Sequence, residues 1–450
     1  MTLLAVYCAL FILMGLHEFF KRKDFEEFAV AGRRSGAGLV GVSIVASCVG
    51  ASATIGMTGL AFTAGFPAFW WLGSGAAGLL VLGFLLARKV RKSGVYTLPD
   101  MAEKFISPTA RRLMALIIIP AWTSILAAQY IAAGKIVTAL TGMAPTTALA
   151  ACAALITAYT VLGGQNSILK SDAVQFSMLA AGLLLALGFT AVHSPVSLAD
   201  IPLQFTNDAF PLSRWTYFML IVGGSYVVCP MLFGRLLSAK DDSRARRGTL
   251  LAAAGLALCA LVVVALGLYA RGLATPGTDP DAILTQVIPA IMPGWAGIVL
   301  LFALLSAIVS SADSCLHTAA TVLEHDLLGD TNVARCRLIM VAIGLGAVGI
   351  ALCGGSILSL LLAANDIYVC GVVCPMAVAI LAHGKRAINP RAMVLALILG
   401  GACGVAAAST GAKGFSYAGV AVSFTLSLLA LLPRPASKSR RAVPEPASRG

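Results

Sequence analysis

LLFALLSAIVSSADSCLHTAATV, residues 300–322, is apolar enough to cross a bilayer, yet it carries Ser310, Ser311, Asp313 and Ser314 within it. About 20 apolar residues span the hydrocarbon core, and lipid penalises polar groups placed there. On a helix Ala307, Ser310, Ser311 and Ser314 fall three to four residues apart and share one face. Intramembrane polar clusters face a protein interior and mark ion or solute paths. Hydroxyl and carbonyl oxygens are hard donors, suited to a hard cation such as sodium and poor for copper or zinc. Serines also hold helices together in membranes, so this segment alone leaves both readings open.

Outward from this segment the chain repeats its character. It is 59% hydrophobic and 11% charged, with a mean hydropathy of +0.92. That composition excludes a soluble domain and indicates one all-α integral membrane domain. Apolar runs predict thirteen helices, over 1–20, 37–63, 67–88, 112–141, 145–163, 170–192, 214–236, 249–270, 294–324, 335–353, 356–382, 390–410 and 414–432. The first run lacks a basic leader and is too long for a signal peptide, so it reads as a retained helix.

Charge tests that count. With the N-terminus outside, the cytoplasmic segments are 21–36, 88–112, 164–170, 235–248, 325–338, 383–391 and the tail after 433. They hold 28 of the 32 Lys and Arg; Lys135, Arg214, Arg271 and Lys413 lie elsewhere. The positive-inside rule demands such a bias. The net charge of +13 is then an orientation signal and a contact for anionic lipid, with no nucleic-acid partner implied. The expected location is the plasma membrane, N-terminus outside and C-terminus cytoplasmic.

Several chemistries find no residues to carry them. The eleven cysteines sit almost wholly in apolar runs, where they act as small fillers, and none shows zinc spacing. A Gly-rich phosphate loop is absent, so no ATP drive is expected from this chain. No nucleophile–base pair or metal cluster converges; the expectation is a protein that is not an enzyme and holds no organic cofactor.

Two helices look weak by construction. VGVSIVASCVGASATIGMTGLAF (40–62) is rich in Gly, Ala, Ser and Thr around Gly50–Gly56. YFMLIVGGSYVVCPMLFGRLL (217–237) carries Gly223, Gly224 and Ser225, then Pro230. Setting the first helix aside, these open two successive sets of five helices. Interrupted helices at matching positions point to an inverted-repeat transporter with a midplane site.

Six segments in order then carry a resemblance: FEEFAVAGRRSGAGLVGVSIVAS (25–47), ASATIGMTGLAFTAG (51–65), VYTLPDMAEKF (95–105), AYTVLGGQNSILKSDAVQ (158–175), CPMLFGRLLSAKDDSRARRG (229–248) and SAIVSSADS (306–314). A weaker likeness extends over AANDIYVCGVVCPMAVAIL (363–381). The chain resembles the sodium:solute symporter family, the group of sodium/glucose, proline and pantothenate carriers. The resemblance implies a LeuT-type fold with inverted five-helix repeats and an extra N-terminal helix. Its expected divisions are 1–36 (first helix and loop), 37–192 (first repeat), 193–382 (second repeat), 383–433 (two further helices) and 434–450 (a disordered basic tail). It implies Na+ as coupling ion, held by the carbonyls of Ala46, Val49 and Ala307 and the hydroxyls of Ser310 and Ser311. A second cation site or relay would fall on Asp172 with Ser310, Asp313 and Ser314, where Asp313 replaces an expected hydroxyl.

For the solute, Asp366 in LLLAANDIYVC is a carboxylate at membrane depth that could pair with an amine or with a cationic side chain. Lys135 could meet a carboxylate or snorkel to the interface. Together they would suit an amino acid. Sugar carriers of the family place a long amide or acid at the broken helix; Ser52, Ala53 and Thr54 stand here, which disfavours a sugar. Tyr226, taken to lie just past the second break, would cap the site or simply pack. The expected function is import of a small organic solute by sodium symport and alternating access. A transporter-like membrane sensor and a proton-coupled symporter are the alternatives, and a monomer is plausible.

Overall fold

The computed structural model describes residues 2–21, 24–197, 201–354 and 356–432. The tail expected to be disordered, 434–450, lies outside them. Long helices run through the described chain: α1 Thr2–Phe19, α2 Ala37–Cys48 continuing after a break as Ser52–Ala64, α3 Phe66–Lys92, α4 Pro108–Thr141, α5 Pro145–Gly163 and α6 Gln165–His193. There follow α7 Leu212–Ser238, α8 Asp242–Ala270, α9 Gly294–Leu327, α10 Val333–Leu352, α11 Ile357–Ala382 and α12 Pro390–Thr410, then α13 Lys413–Leu429. By length and composition, eleven described helices can cross a membrane, or twelve if the bent pair in α2 is one span. The expectation of thirteen crossings therefore exceeds what the helices themselves establish, because α13 is only 17 residues long.

The contacts repeat between two sets, α2–α6 and α7–α11. The opening helix of each set packs on the second helix of the other, α2 on α8 and α7 on α3. The fifth helix of each packs on the third of the other, α6 on α9 and α11 on α4. The third helices, α4 and α9, are both 34 residues long. Exposed leucines and valines on α1, α8, α10, α12 and α13 are what lipid-facing surfaces require, since the bilayer is itself apolar.

Both opening helices are broken, for different local reasons. In α2 the halves are bent by 70° at Val49, whose backbone leaves helical geometry (φ −97°, ψ 67°). A Cβ on the next residue, Gly50, would stand 2.5 Å from Ser311 Oγ, so only glycine lets the chain come this close. The amide freed at Ala51 donates to Gln129 Oε1 at 3.2 Å. In α7 the break is at Val228 and Cys229, both extended, because Pro230 pushes its predecessor out of helical geometry. Tyr368 donates its hydroxyl to the Val228 carbonyl at 2.8 Å. Unpaired backbone is expensive at membrane depth, and each break has such a side chain to satisfy it. Tyr226 thus precedes the second break, where the sequence placed it beyond.

Candidate functional site

The first half of α2 ends against α9. Ser310 Oγ lies 2.9 Å from the Ala46 carbonyl and 2.9 Å from the Ala307 carbonyl. Ser311 Oγ lies 3.0 Å from the Ser47 carbonyl and 3.2 Å from that of Ala307. Each hydroxyl has one proton to donate, so oxygens here outnumber donors. Such a surplus of hydroxyl and carbonyl oxygens fits a hard cation. Ala46, Ala307, Ser310 and Ser311 are brought together, while Val49 forms the break itself. The Ser47 carbonyl is an addition that the sequence did not single out. Among the described residues no group of three or more His, Cys, Asp and Glu could hold a metal ion.

Towards the end of the molecule that holds the basic segments lies a second polar cluster. Asp172 belongs not to the first turn of its helix but to the interior of α6, which begins at Gln165, and it is fully buried. Its Oδ2 accepts from Ser43 Oγ and, at 3.1 Å, from Nη2 of Arg235. The sequence counted Arg235, at the end of the helix expected over 214–236, with the cytoplasmic segment 235–248; within α7 its side chain is only 1% exposed. Asp313 turns instead to Tyr159, whose hydroxyl donates to Oδ2, and to Ser314, 3.0 Å from Oδ1. Among the described residues, Asp172 Oδ1 is buried without a hydrogen-bond partner.

Above these clusters, between α2, α3, α4, α7 and α11, is a cavity of about 80 Å³. Trp71, Trp122 and Tyr226 give it aromatic walls, and Gln129, Asn365 and Ser52 give it polar points. None of its lining residues is charged. Ser47 and Ser311 line it too, so it adjoins the serine–carbonyl cluster. Ser52 and Tyr226 are in the wall; Ala53 is buried outside it, and Thr54 turns its hydroxyl back to the Gly50 carbonyl at 2.9 Å. Lys135 and Asp366 do not meet. Lys135 is half exposed and pairs with Asp281 at 3.5 Å. Asp366 accepts from Tyr217 at 3.0 Å and Ser416 at 2.8 Å, tying α7, α11 and α13 together, and its neighbour Asn365 takes the wall position.

Trp71, Trp122, Gln129 and Arg235 were missed. Gln129 had a readable signal, a lone amide in the middle of an apolar run. The tryptophans had none, because an aromatic in such a run is usually packing.

Ser52 also lines a larger space of about 270 Å³ near Asp281. On the basic side the cavity near Tyr96, Pro230 and His317 measures only about 20 Å³. There Arg111 donates to Asp326 at 2.9 Å and to the His325 carbonyl at 2.7 Å, and Thr97 adds a bond to Asp326 at 2.9 Å. The space on the basic side is thus smaller than the one near Asp281.

The model of the sodium:solute symporter family matches residues 28–337. A high-affinity choline transporter of Drosophila melanogaster is 27% identical over 328 residues, 67% of this chain and 52% of that protein. The chain thus spans little more than half the length of this relative. A sodium/proline symporter of Salmonella typhimurium is 24% identical over 347 residues, 72% of this chain and 69% of its own. Among solved structures, a substrate-bound, outward-open Na+-coupled sialic acid symporter superposes with a TM-score of 0.80 at 16% identity, covering 95% of this chain and 96% of that one. The fold is of the LeuT type.

Proposed function

The chain belongs to the sodium:solute symporter family, and from that premise we propose that it carries a small organic cation, coupled to sodium, by alternating access. The observation that carries this reading is one shared surface. Ser311 belongs both to the oxygen cluster at the α2 break and to the wall of the aromatic cavity. Sodium held there would draw the carbonyl end of α2 onto α9 and complete the cavity; solute would then favour closure. Because each ligand stabilises the same arrangement, their effects on one another are reciprocal.

The cavity's chemistry supports a methylated ammonium. Indole and phenol faces attract a cation, and a quaternary nitrogen has no N–H needing an acceptor. An amino acid would find no charged partner in this wall, since Lys135 and Asp366 are engaged elsewhere. The choline transporter match agrees with this chemistry. The basic segments would lie in the cytoplasm of a plasma membrane, with uptake as the direction.

The test is the melting temperature of the purified protein in sodium against potassium, with Ser311→Ala alongside. A ligand of the folded state raises stability by RT ln(1 + [L]/Kd). We expect a sodium-specific rise that the variant loses, and a further rise with choline, but not with proline or glucose, in sodium buffer. A wild-type protein indifferent to sodium would defeat the coupling, and a rise with proline alone would defeat the solute assignment.

A further inference from the structure

The resemblance to some members of the family implies a second cation site or relay, on Asp172 with oxygens at Ser310, Asp313 and Ser314. The residues present do not fit it, and the disagreement comes down to one atom. Nη2 of Arg235 is 3.1 Å from Asp172 Oδ2 and also donates to Ser314 Oγ. A cation ligated by both oxygens would have to stand where that nitrogen stands.

The guanidinium is fastened there from several sides. Nε donates to Ser43 Oγ at 3.0 Å, and Nη1 donates to the Met231 carbonyl at 3.0 Å. Arg235 and Asp172 are 1% and 0% exposed, and the bonds join α2, α6, α7 and α9, the helices that build the sodium cluster and its surroundings. Arginine suits this post because its charge is permanent, its hydration weak and its donors set in a rigid fork. Asp313, the other acid of the implied site, is directed towards Tyr159 on α5.

We propose that Arg235 is the resident second cation of the transport site, so that this chain couples each solute molecule to one sodium ion and not two. The inference rests on the sodium-coupled reading above.

Two measurements test it together: the sodium-to-solute ratio from reversal potentials in proteoliposomes, and the sodium dependence of the melting temperature. We expect a ratio of one and a Hill coefficient of about 1. In Arg235→Gln the charge is gone and Asp172 and Ser314 are released, so a second ion enters and the sodium curve steepens towards ~2. Arg235→Lys keeps a positive charge and should keep the single-ion curve. Two sodium ions per solute in the wild type would overturn the proposal, as would a folded Arg235→Gln protein with wild-type steepness. If that variant does not fold, the wild-type ratio decides alone. Solute transport wholly indifferent to sodium is a separate result, which would remove the underlying reading as well.

Discussion

Gly50 sets the tolerance of the serine–carbonyl cluster proposed to hold sodium. A Cβ there would meet Ser311 Oγ at 2.5 Å and Gln129 Oε1 at 3.0 Å, closer than side-chain carbons approach such atoms. Gly50→Ala should push α2 off α9 and weaken sodium binding by about tenfold or more, roughly 1.4 kcal/mol; sodium titration of the melting temperature checks this, with solute-independent folding as the control. At this scale the sequence was partly readable. The serine pair announced itself by being polar in an apolar run, and the resemblance supplied the carbonyls opposite. Arg235 was hidden for a physical reason. A basic residue near a helix end normally belongs to a solvated loop, and its burial depends on Asp172, 63 positions earlier in the chain. Trp71 and Trp122 were hidden likewise, because whether an indole lines a cavity or fills a core is decided by neighbours on other helices.

The broken helices show what local composition can and cannot say. Small residues in 40–62 marked a weak stretch, and the bend falls among them. In 217–237 the glycines drew attention first, yet Gly223 and Gly224 are helical and the break is made by Pro230. Gly223 serves packing instead: a Cβ there would stand 2.8 Å from the Ser74 carbonyl on α3. The break is held by the Tyr368 hydroxyl on the Val228 carbonyl, both buried. Tyr368→Phe leaves that carbonyl unpaired, a cost of about 1–3 kcal/mol. The expected outcome is a lowered melting temperature, together with reduced solute uptake at saturating sodium. Unchanged stability would mean that another donor satisfies the break.

At the basic end of the molecule, Arg111 of α4 and Thr97 just before it are tied to Asp326 of α9. Asp326 is buried, and the partly exposed Arg111 is its cationic partner; leaving the acid without that hydrogen bond costs roughly 1–3 kcal/mol. Arg111→Gln should therefore shift the population away from the state closed on that side. A cysteine placed at Leu60, which lines the space near Asp281, reports the shift: thiol labelling there should fall in the variant, and uptake with it. The architecture was legible from the sequence because lipid leaves a chain few choices, and apolar length and the placement of Lys and Arg mark the spans. The tie at the basic end was not legible, since it rests on contacts between residues as distant as 97 and 326. If the aromatic cavity holds the solute as proposed, its uncharged described wall has an electrical consequence. An empty site of that kind brings no charge of its own into the membrane field, so a voltage acts on the cargo. Each elementary charge moved through 100 mV is worth about 2.3 kcal/mol. A cell's negative interior would then speed the loaded inward step, and the empty return would run at a rate indifferent to voltage.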